Sequence, residues 1–484
     1  MNFVFIMTDT QNLSMVGAYG DPSVDTPNLD RLAASGIRFD RAYTTCPLCT
    51  PARGGIFTGQ YPQVNGAWTN NQAPYANVPL MGTIFRHFGY RAAYTGKWHL
   101  EGVSYYGDGV PGGGFEPDWW YDGKRYAEDI GPEMFHHYRT VRTAEGLRAA
   151  GFTEDNIFGH RVAERAIDFL NRVGDEPFVL GVSFDEPHGP FVAPPEYWEA
   201  WSPGDIPKPA NFGVPLTHKP AIQQVQRAAY GEPDWDQVAE GKIRHYGCNS
   251  YIDREIGRVI DAVASVHGDD TIIIYTSDHG DMMRAHGLSG KGPMMYEETT
   301  HVPFIVRAPN GPTGVVSDAV ISHLDILPTM LALSGIETPP SLHGVSFAPI
   351  LDDPAAAVRP YAFVGFHRFA VNHDDFGEFF PIRCVTDGRH KLSINLLDTD
   401  ELYDLAEDPG ECTNQISNPA YAIVRDELHD ALLEEMDRIR DPFRSYRWGD
   451  RPWRTVRHPF YQGGARRDRP AGFPFEPTGV EWQD

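Results

Sequence analysis

Cys49 and Arg53 stand in the run Cys46-Pro47-Leu48-Cys49-Thr50-Pro51-Ala52-Arg53, where two cysteines at C-x-x-C spacing invite three readings. The pair could be redox-active, it could supply half of a zinc site, or either sulfur could be a buried structural group. Zinc needs further Cys or His at suitable spacing, and the other cysteines, Cys248, Cys384 and Cys412, form no second pair. Elsewhere Asp9, Asp185 with His188, and the adjacent Asp278-His279 each follow an apolar run. Oxygen ligands with at most one imidazole favour calcium, magnesium or manganese over a sulfur-bound zinc. Asp278-His279 could equally be a helix cap beside a structural histidine. Lys97, His99 and Lys291 add positive charge and a proton carrier of the kind an anionic substrate demands.

These side chains need strands to hold them. Asn2 to Thr8 is a short apolar run ending at a polar cluster, the pattern of a buried strand in a parallel sheet. Thr26-Pro27-Asn28-Leu29-Asp30 opens a helix, with Thr26 as cap and Pro27 at the first helical position. The strand pattern recurs at Pro177 to Phe184 and at Thr271 to Thr276. The helix before the latter shows Ile252, Ile256, Val259, Ile260 and Val263 on one face, the 3.6-residue period of a helix packed on a sheet. The expected class is α/β: a large mixed, mainly parallel sheet flanked by helices over residues 1–354. Ligand sites in such sheets lie beyond the carboxyl ends of the strands, which is where the Asp and His residues fall.

After about Pro354 the pattern changes to short alternating strands at Tyr361 to Phe366, Ile382 to Thr386 and His390 to Asn395. The last two join through Asp387-Gly388 as a hairpin, and an amphipathic helix follows from about Tyr421 to Arg440. Residues 355–484 are therefore expected to form a smaller C-terminal α+β domain carrying an antiparallel sheet. Its tail holds Arg444, Arg447, Arg451, Arg454 and Arg457, an arm that would wrap its own surface or a neighbouring subunit of a homo-oligomer.

Composition narrows the partners. With 41 basic against 66 acidic residues the net charge is −25, a surface that repels nucleic acid phosphates and anionic lipid heads. An anionic small substrate would need a local positive pocket. Five cysteines do not make a disulfide framework, no apolar run approaches membrane-spanning length, and no secretory leader pattern opens the chain, so a cytoplasmic protein is expected.

Cys49-Thr50-Pro51-Ala52-Arg53, followed by Gly54-Gly55-Ile56-Phe57-Thr58-Gly59, resembles the C-x-P-x-R signature of the type I sulfatase family. Thr8-Asp9-Thr10-Gln11, Thr26-Pro27-Asn28-Leu29-Asp30, Gly96-Lys97-Trp98-His99, Asp185-Glu186-Pro187-His188, Thr276-Ser277-Asp278-His279-Gly280 and Glu401-Leu402-Tyr403-Asp404 resemble further family landmarks in family order, and the likeness is nearest to an uncharacterised group of bacterial sulfatases. The resemblance implies an alkaline-phosphatase-like scaffold on which a maturase oxidises Cys49 to formylglycine. The hydrated aldehyde would attack sulfur in line with the departing alcohol, and a covalent sulfate on residue 49 would be expelled as the aldehyde returns. It further implies one divalent ion, calcium with manganese or magnesium as alternatives, held by Asp9, Asp278, His279 and the modified Cys49, with Gln11 as an auxiliary ligand. Arg53 and Lys97 would hold the hydrated aldehyde, and His99 would be the base that collapses the intermediate. His188 and Lys291 would contact the sulfate, one of them protonating the leaving oxygen.

Many family members carry two consecutive aspartates after the first strand, where this chain has Asp9-Thr10, and many have asparagine where it has His279. The lost carboxylate keeps manganese in play beside calcium. It also favours the closest competitor, a phosphonate monoester or phosphodiester hydrolase on the same scaffold; a non-catalytic anion or sugar binder is a further alternative. The expected substrate is a sulfated carbohydrate, small or oligomeric. Trp68, Asn70 and Asn71, and from the smaller domain His367, Arg368, His373 and Arg383, are candidates for an outer pocket.

Overall fold

The apolar run at the amino terminus forms strand β1 (Asn2–Thr8), whose residues from Phe3 onward are buried, as a central parallel strand requires. The computed structural model describes residues 1–484 except 21–23, 232–233, 269, 371–378 and 456–484. Further strands are β2 (Ile37–Phe39), β3 (Ala42–Tyr43), β4 (Arg91–Gly96), β5 (Trp120–Tyr121), β6 (Phe178–Ser183), β7 (Thr271–Ser277), β8 (Phe304–Arg307), β9 (Val315–Ser317) and β10 (Ile321–Ser322). A mixed, mainly parallel sheet runs β5-β4-β6-β1-β7-β8-β2-β9, in which β8 alone is antiparallel to its neighbours β7 and β2.

Period-two alternation sends the side chains of these strands into two layers. Val4, Ile6 and Ile273 pack with Ile252, Ile256, Val259 and Val263 of the helix Trp235–Val266 and with Phe158 and Val162 of the helix Phe158–Arg172. Phe3, Phe5, Met7, Ile272 and Ile274 face the other way, onto Phe57, Phe85 and Leu327. Each such buried side chain contributes about 1.5–3 kcal/mol.

The helix Pro27–Ala34 begins at Pro27 as expected, but Thr26 does not cap it through its side chain. Thr26 Oγ1 instead accepts from Gly17 N–H at 2.8 Å. The first-turn amides are taken by a distant carboxylate: Asp253 accepts from Asn28 N–H at 2.9 Å and Leu29 N–H at 2.8 Å. This ties the first helix to the middle of the longest one.

Strands β11 (Ala362–Phe366), β12 (Ile382–Thr386), β13 (His390–Asn395) and β14 (Glu401–Asp404) form an antiparallel sheet in that order. Both of its faces are covered. Val364, Ile382 and Cys384 pack on Tyr43, Cys46 and Leu48, directly behind the Cys49 loop, while Val385, Leu392 and Ile394 pack on Leu428, Leu432 and Met436 of the helix Ala422–Arg438. The described part of the tail lies on its own chain: Arg444 pairs with Asp437 at 3.3 Å, Arg451 with Asp400 at 2.8 Å, Arg454 with Asp430 at 2.5 Å, and Arg447 sits over Tyr446. Arg457 and His373 lie outside the described residues. No helix among the described residues is long and apolar enough to cross a membrane.

Candidate active site

Strands β4, β6, β1 and β7 are consecutive, parallel neighbours at the centre of the sheet, and their carboxyl ends deliver Lys97 and His99, Asp185 and His188, Asp9, and Asp278 and His279 respectively. Adjacent strands are about 4.8 Å apart, so side chains at these ends meet over a few ångströms. The turn from β4 into Lys97 needs glycine: Gly96 has φ +110°, and a Cβ there would lie 1.8 Å from Ser183 O. Cys49 comes from a separate element, as the first residue of the buried helix Cys49–Thr58. That helix can reach the site because Gly55 lets it lie against Thr45, whose Oγ1 would stand 2.6 Å from an added Cβ. Asn70 Oδ1 accepts from Thr50 N–H at 3.0 Å at its start.

Asp9, Cys49, Asp278 and His279, all buried, each present one ligand atom, and these atoms lie within 4.8 Å of one another. Arg53, fully buried, binds both carboxylates, with Nη2 3.0 Å from Asp9 and Nε 2.9 Å from Asp278. Its Nη1 donates to Lys97 O at 2.6 Å and Ser183 Oγ at 2.8 Å. The sequence expectation had Arg53 holding residue 49; its partners here are instead the two carboxylates and the ends of β4 and β6. Thr10, at φ 65°, donates its hydroxyl to Asp9 and its N–H to Asp278 at 3.2 Å, tying the carboxylates together.

Three cationic or imidazole groups surround Cys49 Sγ: Lys291 Nζ at 2.7 Å, His279 Nε2 at 3.3 Å and Lys97 Nζ at 4.0 Å. Burial and Asp9 push the thiol up, but Lys291, Lys97 and His279 outweigh them and bring it down to about 6. Burial also raises the Asp9 carboxyl, and here Lys97, Lys291, His188 and Arg53 win, holding it well below the usual carboxylate range. Asp278 goes the other way, pushed up to about 7 by burial and by the charge on Asp9, against His279 and Arg53. Two buried carboxylates that resist joint ionisation, with an imidazole beside them, fit a hard divalent cation, which would remove the penalty on the second charge.

Lys97 has all three ammonium protons engaged, on Asp9 at 2.8 Å, Asp185 at 3.0 Å and Tyr105 Oη at 2.8 Å. His99 Nε2 lies 3.1 Å from Asn71 Oδ1, so that nitrogen carries the proton, while Nδ1 is buried without a partner. Burial, Lys97 and Arg53 hold its pKa well below normal, keeping a neutral ring with a free lone pair. His188 is likewise pushed down by burial, Lys291 and Lys97. Asp185 and Tyr105 also stand in this cluster; the sequence marked Asp185 without giving it a role and did not mark Tyr105. Asp185 carried a signal, since it follows an apolar strand as Asp9 and Asp278 do; Tyr105 sits in an irregular loop and carried none.

Several expected members lie elsewhere. The Gln11 amide donates to Asn249 Oδ1 at 2.7 Å and accepts from Thr8 at 3.2 Å and from Tyr275, so both of its ends are engaged with other side chains. Arg383 is buried in a bidentate pair with Asp441 at 2.6 and 2.9 Å, a structural role in place of an outer-pocket one. Trp68 and buried His367 pack edge-on at 5.8 Å and share contacts with Phe379 and Phe443. Arg368 is half-buried.

Comparison with known proteins follows the same lines. The family described as Sulfatase matches residues 1–336, and that described as N-sulphoglucosamine sulphohydrolase, C-terminal, matches residues 285–438. The chain is 41% identical to the uncharacterised sulfatase YidJ of Escherichia coli (strain K12), over 99% of this chain and 98% of that one. It is 26% identical to an N-acetylglucosamine-6-O-sulfatase of Bacteroides thetaiotaomicron, covering 91% of this chain and 87% of the relative. Among solved structures, the phosphonate monoester hydrolase of Agrobacterium radiobacter superposes with a TM-score of 0.74 at 25% identity, covering 90% of this chain and 96% of that one.

Proposed function

The chain belongs to the sulfatase family and is a sulfuric ester hydrolase, and on that premise we propose that it hydrolyses sulfate monoesters of a carbohydrate, using residue 49 oxidised to formylglycine as nucleophile. The observation that carries the reading is the convergence of Lys291, His279 and Lys97 on Cys49 Sγ at 2.7, 3.3 and 4.0 Å in a chain of net charge −25. That sulfur stands in for an oxygen of the hydrated aldehyde, so its neighbours are the groups that would face the nucleophilic hydroxyl. A divalent cation, calcium with manganese or magnesium as alternatives, would be held by Asp9, Asp278, His279 and residue 49, and would supply charge neutralisation for the nucleophile and the sulfate oxygens.

The remaining roles fall to the chain's own side chains. Arg53 fixes the two carboxylates against each other. Lys97, held by Asp9, Asp185 and Tyr105, would share with Lys291 the positive charge that residue 49 and the sulfate oxygens require as sulfur is attacked. His99, neutral and with Nδ1 buried without a partner, would take a proton from residue 49 after the ester is cleaved. His188 and Lys291 are the candidates for protonating the leaving oxygen. A sugar sulfate is preferred because the N-acetylglucosamine-6-O-sulfatase of B. thetaiotaomicron is a relative over most of the chain.

The Asp9-Thr10 and Asp278-His279 pairs, with the likeness to a phosphonate monoester hydrolase, favour one alternative, phosphonate or phosphodiester cleavage. Comparing kcat/KM on an aryl sulfate, an aryl phosphonate monoester and a phosphodiester separates the two. Sulfate cleavage should lead; fast phosphonate turnover with negligible sulfate cleavage would reverse the assignment.

A further inference from the structure

Tyr105 lies outside every strand and helix, yet its phenol oxygen joins three of the groups just described. It accepts from Lys97 Nζ at 2.8 Å, donates to Asp185 Oδ1 at 2.5 Å and lies 2.7 Å from His188 Nδ1. The directions of these bonds follow from the partners. A carboxylate only accepts and an ammonium only donates, so the phenol proton points to Asp185, and both the Lys97 and His188 contacts fall on phenol lone pairs. His188 Nδ1 also lies 2.9 Å from Gly189 O, which can only accept. Nδ1 must therefore carry the hydrogen whatever the charge on the ring. Nε2 is left as the nitrogen that gains and loses a proton.

The phenol ring is fixed on its flanks as well, with His99 and His188 each 5.3 Å away, centroid to centroid, and Lys97 Nζ 3.9 Å above its centre. We propose that Tyr105, itself oriented by Asp185, is a positioning residue that holds His188 as the Nδ1–H form with Nε2 presented to the departing oxygen. The inference rests on the sulfatase reading for what Nε2 does, though not for how the ring is held. Asp185, Tyr105 and His188 then act as an orienting chain: the carboxylate takes the phenol proton, and the phenol oxygen supports the imidazole when Nε2 is protonated. In the protonated ring, the Nε2 proton passes to the leaving oxygen as the ester O–S bond breaks and sulfur bonds to the oxygen of residue 49; the electron pair of the broken bond goes to the leaving alcohol, and Nε2 regains its proton from water.

Tyr105→Phe keeps the ring and removes the oxygen. On the full-length protein carrying 15N-histidine, long-range 1H–15N spectra should show His188 protonated at Nδ1 in the wild type, with that proton shifted downfield by the short contact. In Tyr105→Phe the signal should move upfield. For aryl sulfates the substitution should lower kcat by about 10- to 100-fold for a poor leaving group such as phenol. It should lower kcat far less for a nitrophenol, which needs little protonation. An Nε2–H form in the wild type, an Nδ1–H signal unmoved by the substitution, or an equal loss for all leaving groups would overturn the assignment. An Nε2–H form in the wild type overturns the assignment even if the variant does not fold. Were the protein inactive on sulfates, the spectra alone would judge Tyr105, and the sulfatase reading would fail separately.

Discussion

Replacing Lys291 by methionine removes the positive charge nearest to residue 49 while keeping most of the side-chain volume. Lys291 Nζ lies 2.7 Å from Cys49 Sγ, and the unoxidised thiol is brought down to about 6 by Lys291, Lys97 and His279 against burial and Asp9. A unit charge at that separation is worth about 6 kcal/mol at an effective dielectric constant of about 20. Lys97 at 4.0 Å and His279 at 3.3 Å remain in the variant, which limits the rise. We expect the pKa to climb by about 2–3 units, within the range that nearby opposite charges produce. The sign follows from charge: losing a cation disfavours the thiolate. The assay is thiolate absorbance near 240 nm across pH in protein from a host that lacks the maturase, with Cys49→Ser as blank. The background is favourable, because burial raises the pKa of Cys46, Cys248, Cys384 and Cys412. At pH 7 the wild type should be mostly thiolate and Lys291→Met mostly thiol. A variant that still titrates near 6 would refute the view that Lys291 dominates the potential at residue 49.

Asp278 must give up its proton to ligate a cation, and its carboxyl is pushed up to about 7, so calorimetric divalent-cation affinity should fall by roughly tenfold per pH unit below 7. In the cation-free chain the same raised pKa means a contribution to stability present below the unfolded carboxyl pKa and lost as pH rises through about 7. A pH-independent affinity would argue against Asp278 as a ligand. Asp253→Ala should cost about 1–2 kcal/mol in chemical denaturation by uncapping the helix Pro27–Ala34, with Asp253→Asn milder because its amide oxygen still accepts. Arg383→Met should cost about 3–5 kcal/mol by stranding buried Asp441, with KM unchanged; a raised KM at unchanged stability would restore Arg383 to the substrate pocket. Asn71→Leu frees His99 Nε2, and steady-state kinetics should show kcat falling by about 10- to 100-fold with little change in KM.

What could be read from the chain alone were the apolar runs that end in chemistry: Asp9 after β1, Asp278-His279 after β7, and the Cys49 to Arg53 run. Each is local, with the strand and its terminal ligand lying within ten residues of each other. What could not be read depends on contacts between distant segments. Asp253 caps a helix more than two hundred residues upstream, and nothing near Thr26 reports that the local cap is idle. Gln11 sits two residues from Asp9 but turns to Asn249 and Tyr275, partners that only the packed sheet brings near. Arg383 and His367 looked available as polar groups in a strand-rich region. The C-terminal sheet is covered on both faces, so such groups there become packing and ion-pair elements. Tyr105 was beyond reach because its loop has no periodicity to place it.

If residue 49 works as an oxidised nucleophile in a sulfate-ester hydrolase, the mass of the tryptic peptide 42–53 must show it. The protein should be expressed with a competent maturase, its peptide mass measured, and its aryl sulfatase activity assayed on the same preparation. We expect conversion of Cys49 to the aldehyde and activity that scales with the fraction converted. Unmodified cysteine in a fully active preparation, or complete conversion without sulfate-ester cleavage, would contradict it.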